Sequence, residues 1–339
     1  MELIRVNSSW KDSDLRIEFM LGNLCNFKCW YCFPGSNEGT HRFPDFDLTV
    51  KNLLHIVWHY RKHGKKRVFL HIIGGEPTLW PKLGEFAEIF SKEGCYISIS
   101  TNGSRTLRWW KEYGKYFSKV ILSCHHQEMN LEHNIAVGDI LYESGCIVDA
   151  SVLMDPFAWD KCVSIVNGLR KSRRRWAIIA SEVMHSTIYY TKEQKKYIEG
   201  HLKRIPNLWY FFRYNKHPME NISVTFADGR TKRIKPNWIR LSKLNHFKGW
   251  QCNVGVDSFF IDKLGNIVGA CSERLYGEST SYNFYDTDFE KKFNPTIKPV
   301  ICSLDTCVCQ PEINLRKHKI IPLVPVSSME YPLNKYTIL

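Results

Sequence analysis

The sequence predicts an α/β protein: a parallel sheet with helices on its outer face, curled toward a barrel, followed by a smaller unit of β-hairpins. Two observations carry this reading. Over roughly the first 205 residues, six apolar, β-branched segments alternate with segments of helical spacing. The rhythm then stops, and two hairpin signatures take its place together with five of the 12 cysteines. A strand that is followed by a helix each time implies parallel pairing with the helices outside the sheet.

In order, "LRIEFML" (15–21), "RVFLHII" (67–73), "CYISIS" (95–100), "KVILSC" (119–124), "CIVDASVLM" (146–154) and "WAIIASEVM" (176–184) read as strands. The segments between them, such as "LTVKNLLHIVWHYRKHG" and "PKLGEFAEIFSKEG", carry helical spacing and often end on glycine. Further on, "ISVTFADGRTKRI" (222–234) reads as a hairpin turning at Asp228-Gly229, and "DSFFIDKLGNIVGAC" (257–271) as a second one around "KLGN". We expect a barrel over 1–205, an aromatic and basic connecting segment with a hairpin over 206–245, and a cysteine-bearing unit over 246–318. An irregular tail would cover 319–339. About 14 residues precede the first expected strand, so no separate leader-binding domain is expected.

The 339 residues are 44% hydrophobic with mixed charge, which excludes a disordered chain. The N-terminus lacks the pattern of a signal peptide, and no apolar run is long enough to span a membrane. A reducing cytoplasmic setting follows as the expectation, and there 12 cysteines point to metal or redox chemistry before disulfides. A net charge of +13 suggests an anionic partner and leaves nucleic acid open, although the tight basic run "RKSRRRW" (170–176) sits in no nucleic-acid-binding motif.

Expected active sites in such sheets gather at the C-terminal strand ends, which here carry "CNFKCWYC" (25–32), "GGEP" (74–77), "TNG" (101–103) and "CHH" (124–126). Cys25, Cys29 and Cys32 follow the first predicted strand. Zinc normally takes four ligands, and no nearby Cys or His completes a set. Three thiolates on three irons of a [4Fe–4S] cluster leave the fourth iron open for chemistry.

C-x3-C-x2-C after a first strand, with aromatic Tyr31 before the last cysteine, resembles the radical S-adenosylmethionine (SAM) superfamily. "GGEP" after the second strand and "STNG" (100–103) after the third match two more of its motifs. The resemblance spans about residues 12–205 and implies a partial (β/α)6 barrel. It also implies a SAM-binding [4Fe–4S] cluster on Cys25, Cys29 and Cys32. Gly74, Gly75, Glu76 and Pro77 would then face the amino group of SAM, Ser100 and Asn102 its ribose and methionine, and Tyr31 its adenine. The implied activity is reductive cleavage of SAM to a 5′-deoxyadenosyl radical that abstracts hydrogen from a substrate. An electron donor such as flavodoxin or ferredoxin is implied as partner.

Cys252, Gly265 and Cys271, followed by Cys302, Cys307 and Cys309, resemble the SPASM/Twitch extensions that hold auxiliary clusters. Five cysteines rather than seven imply the shorter, Twitch-like form with one second [4Fe–4S] cluster. Its ligands would be Cys252, Cys271, Cys307 and Cys309, with Cys302 as the alternate. A zinc site in the same loop is the competing reading. Cys95, Cys124, Cys146 and Cys162 fall in predicted strands or helices and read as buried apolar residues. His125 and His126, after the fourth strand, are candidates to touch substrate. His55, His59 and His63 share one helix face, which we expect to be a solvated stripe. A peptide or protein substrate is the first expectation, with a nucleotide or nucleic-acid base as the alternative; a non-catalytic zinc-binding scaffold is the alternative of another class.

Overall fold

The computed structural model describes residues 2–8, 10–171, 176–183, 189–201, 222–234, 238–239, 242–268, 282–295, 297–307 and 313–320. β1 (Leu3–Asn7) opens the chain. Six strands follow: β2 (Asp14–Met20), β3 (Arg67–Ile73), β4 (Tyr96–Thr101), β5 (Lys119–Cys124), β6 (Ile147–Met154) and β7 (Ala177–Glu182). Each is parallel to its predecessor in chain order. The intervening helices are α1 (Phe46–Lys62), α2 (Leu83–Lys92), α3 (Leu107–Tyr113), α4 (Leu131–Glu143) and α5 (Trp159–Lys171), and α6 (Lys192–Gly200) follows β7. The expected β/α partial barrel is therefore present.

Strand alternation separates two faces of this sheet. Val68, Leu70 and Ile72 of β3, Ile97 and Ile99 of β4, and Val120 and Leu122 of β5 are buried in one core with Leu53, Ile56 and Phe86 of the helices. Each such side chain contributes about 1.5–3 kcal/mol by leaving water. Their neighbours in the strands face the opposite side.

The remaining strands are β8 (Ile222–Phe226), β9 (Thr231–Ile234), β10 (Trp250–Cys252), β11 (Ser258–Ile261), β12 (Ile267–Val268), β13 (Val300–Ile301) and β14 (Lys317–Lys319). Both expected hairpins form, as β8–β9 and β11–β12. Two strands cross the divisions expected from sequence. β1, in the stretch expected to precede any strand, pairs antiparallel with β8 and β14 in a second sheet of order β13-β10-β14-β1-β8-β9. β11 extends the parallel sheet by pairing with β2. The divisions near 205 and 246 thus do not coincide with a division between sheets.

A buried ion cluster ties these parts together. Asp257, just before β11, accepts from Lys65 Nζ at 2.9 Å and from Arg316 Nε and Nη2 at 2.7 and 2.6 Å. Of the three histidines on the α1 face, His63 is exposed as expected, while His55 and His59 depart from the expected solvated stripe. His55 and His59 pack edge-on against Phe293 of a short helix, α7 (Phe289–Lys292), and its C-terminal flank, with ring centroids 6.0 and 5.4 Å apart. That helix is too short for sequence periodicity to reveal. No helix among the described residues is long and apolar enough to cross a membrane.

Candidate active site

The chain leaving β2 runs along the end of β3 before it enters the cysteine loop. Leu21 N donates to Ile73 O (3.0 Å), Gly75 N to Gly22 O (3.1 Å) and Glu76 N to Leu24 O (2.8 Å). This ladder explains both glycines. A Cβ at Gly74 would stand 2.7 Å from Gly22 O, and one at Gly75 only 2.3 Å from Leu24 O. Their lack of side chains lets the two strand ends touch. Asn23, wholly buried, closes the base of the loop: its Nδ2 donates to Gly35 O and Thr40 Oγ1, while its Oδ1 accepts from His41 N at 2.7 Å.

Cys25 and Cys32 are half-buried and Cys29 is buried. A turn links Cys32 N to Cys29 O at 3.1 Å, and Phe27 N donates to Cys25 Sγ at 3.3 Å. Burial pushes all three thiols above their ordinary value, Cys29 to about 12, and for Cys25 and Cys29 the neighbouring thiols add to the effect. Among the described residues, no three His, Cys, Asp or Glu side chains converge on one point that could hold a single metal ion. Three thiols gathered in one partly dry loop fit a group that takes each sulfur on a different iron.

Glu76 stands beside them, 1% exposed. Its Oε1 accepts from Thr78 N (2.9 Å), Thr78 Oγ1 (2.6 Å) and Thr101 Oγ1 (2.7 Å), and its Oε2 from Asn102 N (2.6 Å). Burial raises its pKa; the bonds from Thr101, Thr78 and Asn102 pull the other way by stabilising the carboxylate. Asn102 Nδ2 also donates to Asn26 Oδ1 at 3.0 Å, joining the "TNG" turn to the cysteine loop. Pro77 is buried and opens a short 3-10 turn capped by Glu76 itself. Ser100 lies one step down β4 and pairs with His71 Nε2 at 3.2 Å.

Tyr31 is 4% exposed, its ring stacked on both His125 and His126 and its hydroxyl 3.2 Å from His125 Nδ1. Burial, then the neighbouring His126, push His125 down to about 4. His126 is also buried, with Nε2 3.6 Å from Asp155 Oδ2; the same carboxylate accepts from Trp30 Nε1 at 2.9 Å. The "CHH" turn and Asp155 thus brace the cysteine loop from the β5 and β6 ends. Sequence reasoning missed Asn23, Asn26, Thr78, Thr101 and Asp155. Asn26 and Thr101 lie inside the cysteine and "STNG" motifs, where the spacing draws attention to the cysteines and to Ser100 and Asn102 instead.

In the second cysteine group, Cys252 ends β10, and the antiparallel register with β13 sets Trp250 opposite Cys302. Cys302 N donates to Trp250 O at 2.8 Å. By alternation Cys252 and Cys302 share a face as diagonal neighbours. Cys307 is buried near Phe247 and Trp250, with its carbonyl held by Asn245 Nδ2 at 2.9 Å. Cys271 and Cys309 lie outside the described residues. Cys95, Cys124, Cys146 and Cys162 are buried within the main core.

Comparison with known proteins agrees with this geometry. Residues 19–138 match the Radical SAM superfamily. The chain is similar to GTP 3′,8-cyclase of Haemophilus influenzae (strain PittEE), 34% identical over 103 residues covering 29% of this chain and 30% of that protein. It is also similar to GTP 3′,8-cyclase of Pasteurella multocida (strain Pm70), 30% identical over 124 residues and 35% of each chain. The match therefore spans about a third of the length of these curated relatives. A solved structure of anSMEcpe with bound AdoMet aligns with a TM-score of 0.50 at 12% identity, over 83% of this chain and 80% of that one, and shares the fold. The superfamily match starts inside β2 and ends inside α4, so it takes in the whole cysteine loop and the glutamate and asparagine turns bonded to it: the chain carries a radical SAM domain.

Proposed function

We propose that the chain cleaves SAM reductively on a [4Fe–4S] cluster held by Cys25, Cys29 and Cys32. When bound, the cluster with SAM supplies the electron that splits SAM into methionine and a 5′-deoxyadenosyl radical. The observation that carries the reading is the hydrogen-bonded ladder between residues 21–24 and Gly75-Glu76, which fixes the three thiols beside a buried carboxylate. Among the described residues Glu76 Oε2 takes one hydrogen bond, from Asn102 N, which leaves an acceptor lone pair for a ligand ammonium. Asn102 and Asn26 span the gap between that carboxylate and the cysteine loop. His125, His126 and Tyr31 hold the loop and exclude water from its inner side. The electron donor would be a flavodoxin or ferredoxin.

A second [4Fe–4S] cluster on Cys252 and Cys271 with two of Cys302, Cys307 and Cys309 belongs to the same proposal. The shared face of Cys252 and Cys302 supports Cys302 more than its spacing alone did. For the substrate, a peptide or protein stands first and a nucleotide second; the likeness to GTP 3′,8-cyclase favours the second over part of the chain.

The test is anaerobic reconstitution followed by dithionite and SAM. Formation of 5′-deoxyadenosine together with bound iron and sulfide is the expected result. Zinc in place of iron, with SAM left intact, would refute the proposal and favour a zinc-binding scaffold.

A further inference from the structure

The face of the parallel sheet opposite the apolar core is where a substrate of the proposed reaction would lie, and its chemistry is unusual for a buried barrel face. Barrel interiors are normally filled by branched apolar side chains. Here the alternating positions carry His71 on β3, Ser98 and Ser100 on β4, Lys119 on β5, and Asp149 and Ser151 on β6. His71 Nδ1 pairs with Ser98 Oγ at 2.8 Å and its Nε2 with Ser100 Oγ at 3.2 Å. Ser151 and Ser181 pair at 2.6 Å.

Among the described residues, the charged side chains named on this face are paired. Lys119 pairs with Asp149 at 3.1 Å, Arg16 with Glu18, and Arg67 with Asp14 at 2.7 Å. The face is polar, and each of its described arginines and lysines has a carboxylate partner, although the whole chain carries +13. Toward the N-terminal strand ends it is floored by Trp10, Phe69 and Tyr96, whose centroids lie 4.9 and 4.8 Å apart in sequence. A phosphate or carboxylate entering such a face would lose its hydration and, among the described residues, gain no cation that is not already paired, which is costly. An uncharged group that both donates and accepts hydrogen bonds would match this row: Ser98 Oγ, which also donates to Leu70 O at 3.5 Å, keeps an acceptor lone pair, and Ser100 Oγ keeps capacity beyond its bond to His71.

Exposed aromatic side chains lie in the cysteine loop and just past the end of β6. Trp30 is 42% exposed, Phe157 76% and Phe33 72%, and Trp30 and Phe157 touch with centroids 5.6 Å apart. Such side chains suit the apolar surface of a peptide better than a polyphosphate. Resting on the proposed radical SAM activity, we propose that this face reads an uncharged hydrogen-bonding side chain of a peptide, an amide or an alcohol, through the Ser98–His71–Ser100 row.

The test uses the reconstituted full chain with dithionite, SAM and three side-chain- or ribose-deuterated probes at millimolar concentration. These are N-acetylglutamine methylamide, N-acetylglutamate methylamide and GTP. Breaking a C–D bond moves deuterium into 5′-deoxyadenosine, and dithionite quenches the probe radical left behind. The deuterated fraction of 5′-deoxyadenosine should be at least tenfold higher with the glutamine probe than with glutamate, and at background with GTP. His71→Phe should lower the glutamine-derived fraction at least tenfold; Ser98→Ala, a smaller change, should lower it several-fold. Label from GTP, equal label from glutamate and glutamine, or 5′-deoxyadenosine that stays unlabelled with every probe would overturn the proposal. Absence of 5′-deoxyadenosine altogether would instead sink the underlying activity.

Discussion

Gly75→Ala tests the central geometric claim, that the glutamate turn and the cysteine loop are held by direct backbone contact. The added Cβ would lie 2.3 Å from Leu24 O, 2.6 Å from Leu24 C and 2.8 Å from Asn23 C. All three are backbone atoms, so no flexible side-chain end can swing aside. Overpacking of this kind costs about 1–3 kcal/mol. The displacement would also break the Gly75 N–Gly22 O and Glu76 N–Leu24 O bonds, each worth about 1 kcal/mol. The sum, about 3–5 kcal/mol, appears either as lost stability or as a shifted Glu76 that no longer faces its ligand. At about 2 °C per kcal/mol for a large domain, the melting temperature would fall by about 6–10 °C if the fold takes the whole cost. If the site takes it, SAM affinity would fall by more than a hundredfold with little change in melting. Gly229→Ala is the control: its φ is +80° and nothing lies within 4 Å, so it should cost about 1 kcal/mol from backbone strain alone and leave SAM binding intact. Equilibrium dialysis with SAM and thermal melts on both variants decide the matter. A Gly75→Ala protein that binds SAM and melts like the wild type would refute the contact.

Thr101→Val removes the hydroxyl that donates to Glu76 Oε1 at 2.7 Å and accepts from Gly103 N at 3.0 Å. A hydrogen bond to a charged group is worth about 1.5–3 kcal/mol, so SAM affinity should drop about 10- to 100-fold and Thr101→Ser should recover most of it; equal affinity in all three would show that Thr101 does not hold the carboxylate. Asp257→Ala leaves Lys65 buried without its carboxylate and strips Arg316 of a bidentate partner, a loss of about 3–5 kcal/mol. Urea titration should show the lower midpoint, and an unchanged midpoint would remove the ion cluster from the account of how β11 joins the sheet. Replacing Cys25, Cys29 and Cys32 together by Ala should abolish 5′-deoxyadenosine formation while about half the iron stays. Replacing Cys252 and Cys271 should remove about the other half, and unaltered iron in that variant would eliminate the second cluster.

The parts of this molecule that sequence reveals are those fixed by local chemistry. Strands such as "RVFLHII" are apolar enough to name themselves, and the cysteine, glutamate and asparagine motifs follow them because a parallel sheet delivers its strand ends to one rim. What stays hidden depends on partners far along the chain. β1 is five residues long and owes its existence to β8 and β14, more than 200 residues away; no local pattern can announce such a pairing. β11 reads as half of a hairpin, which it is, yet nothing in "DSFFID" says that its other edge will meet β2 in parallel. The two glycines of "GGEP" were legible as a place of close backbone approach, but the backbone that approaches is that of Gly22 and Leu24, which only the fold supplies. The histidines of α1 share a face in sequence, and whether that face meets water or Phe293 depends on a four-residue helix some 230 positions later.

The polar face of the sheet lies between these cases. In "YISIS" the serines alternate with isoleucine, so a period of two with one polar phase is written in that strand. Alternation of that kind ordinarily marks a strand with one face in water. It takes the parallel sheet, with helices covering the apolar phase, to turn the same pattern into a polar face bounded by an aromatic floor and the cysteine rim. The charge of the whole chain then becomes a poor guide to the substrate. The +13 belongs to the chain as a whole, whereas each described arginine and lysine on the face beneath the cysteines already has a carboxylate partner. Specificity follows the local balance, because an ion is stabilised by the groups that touch it and is screened from the rest within about 8–10 Å in solution. A neutral, hydrogen-bonding substrate group is what that balance selects.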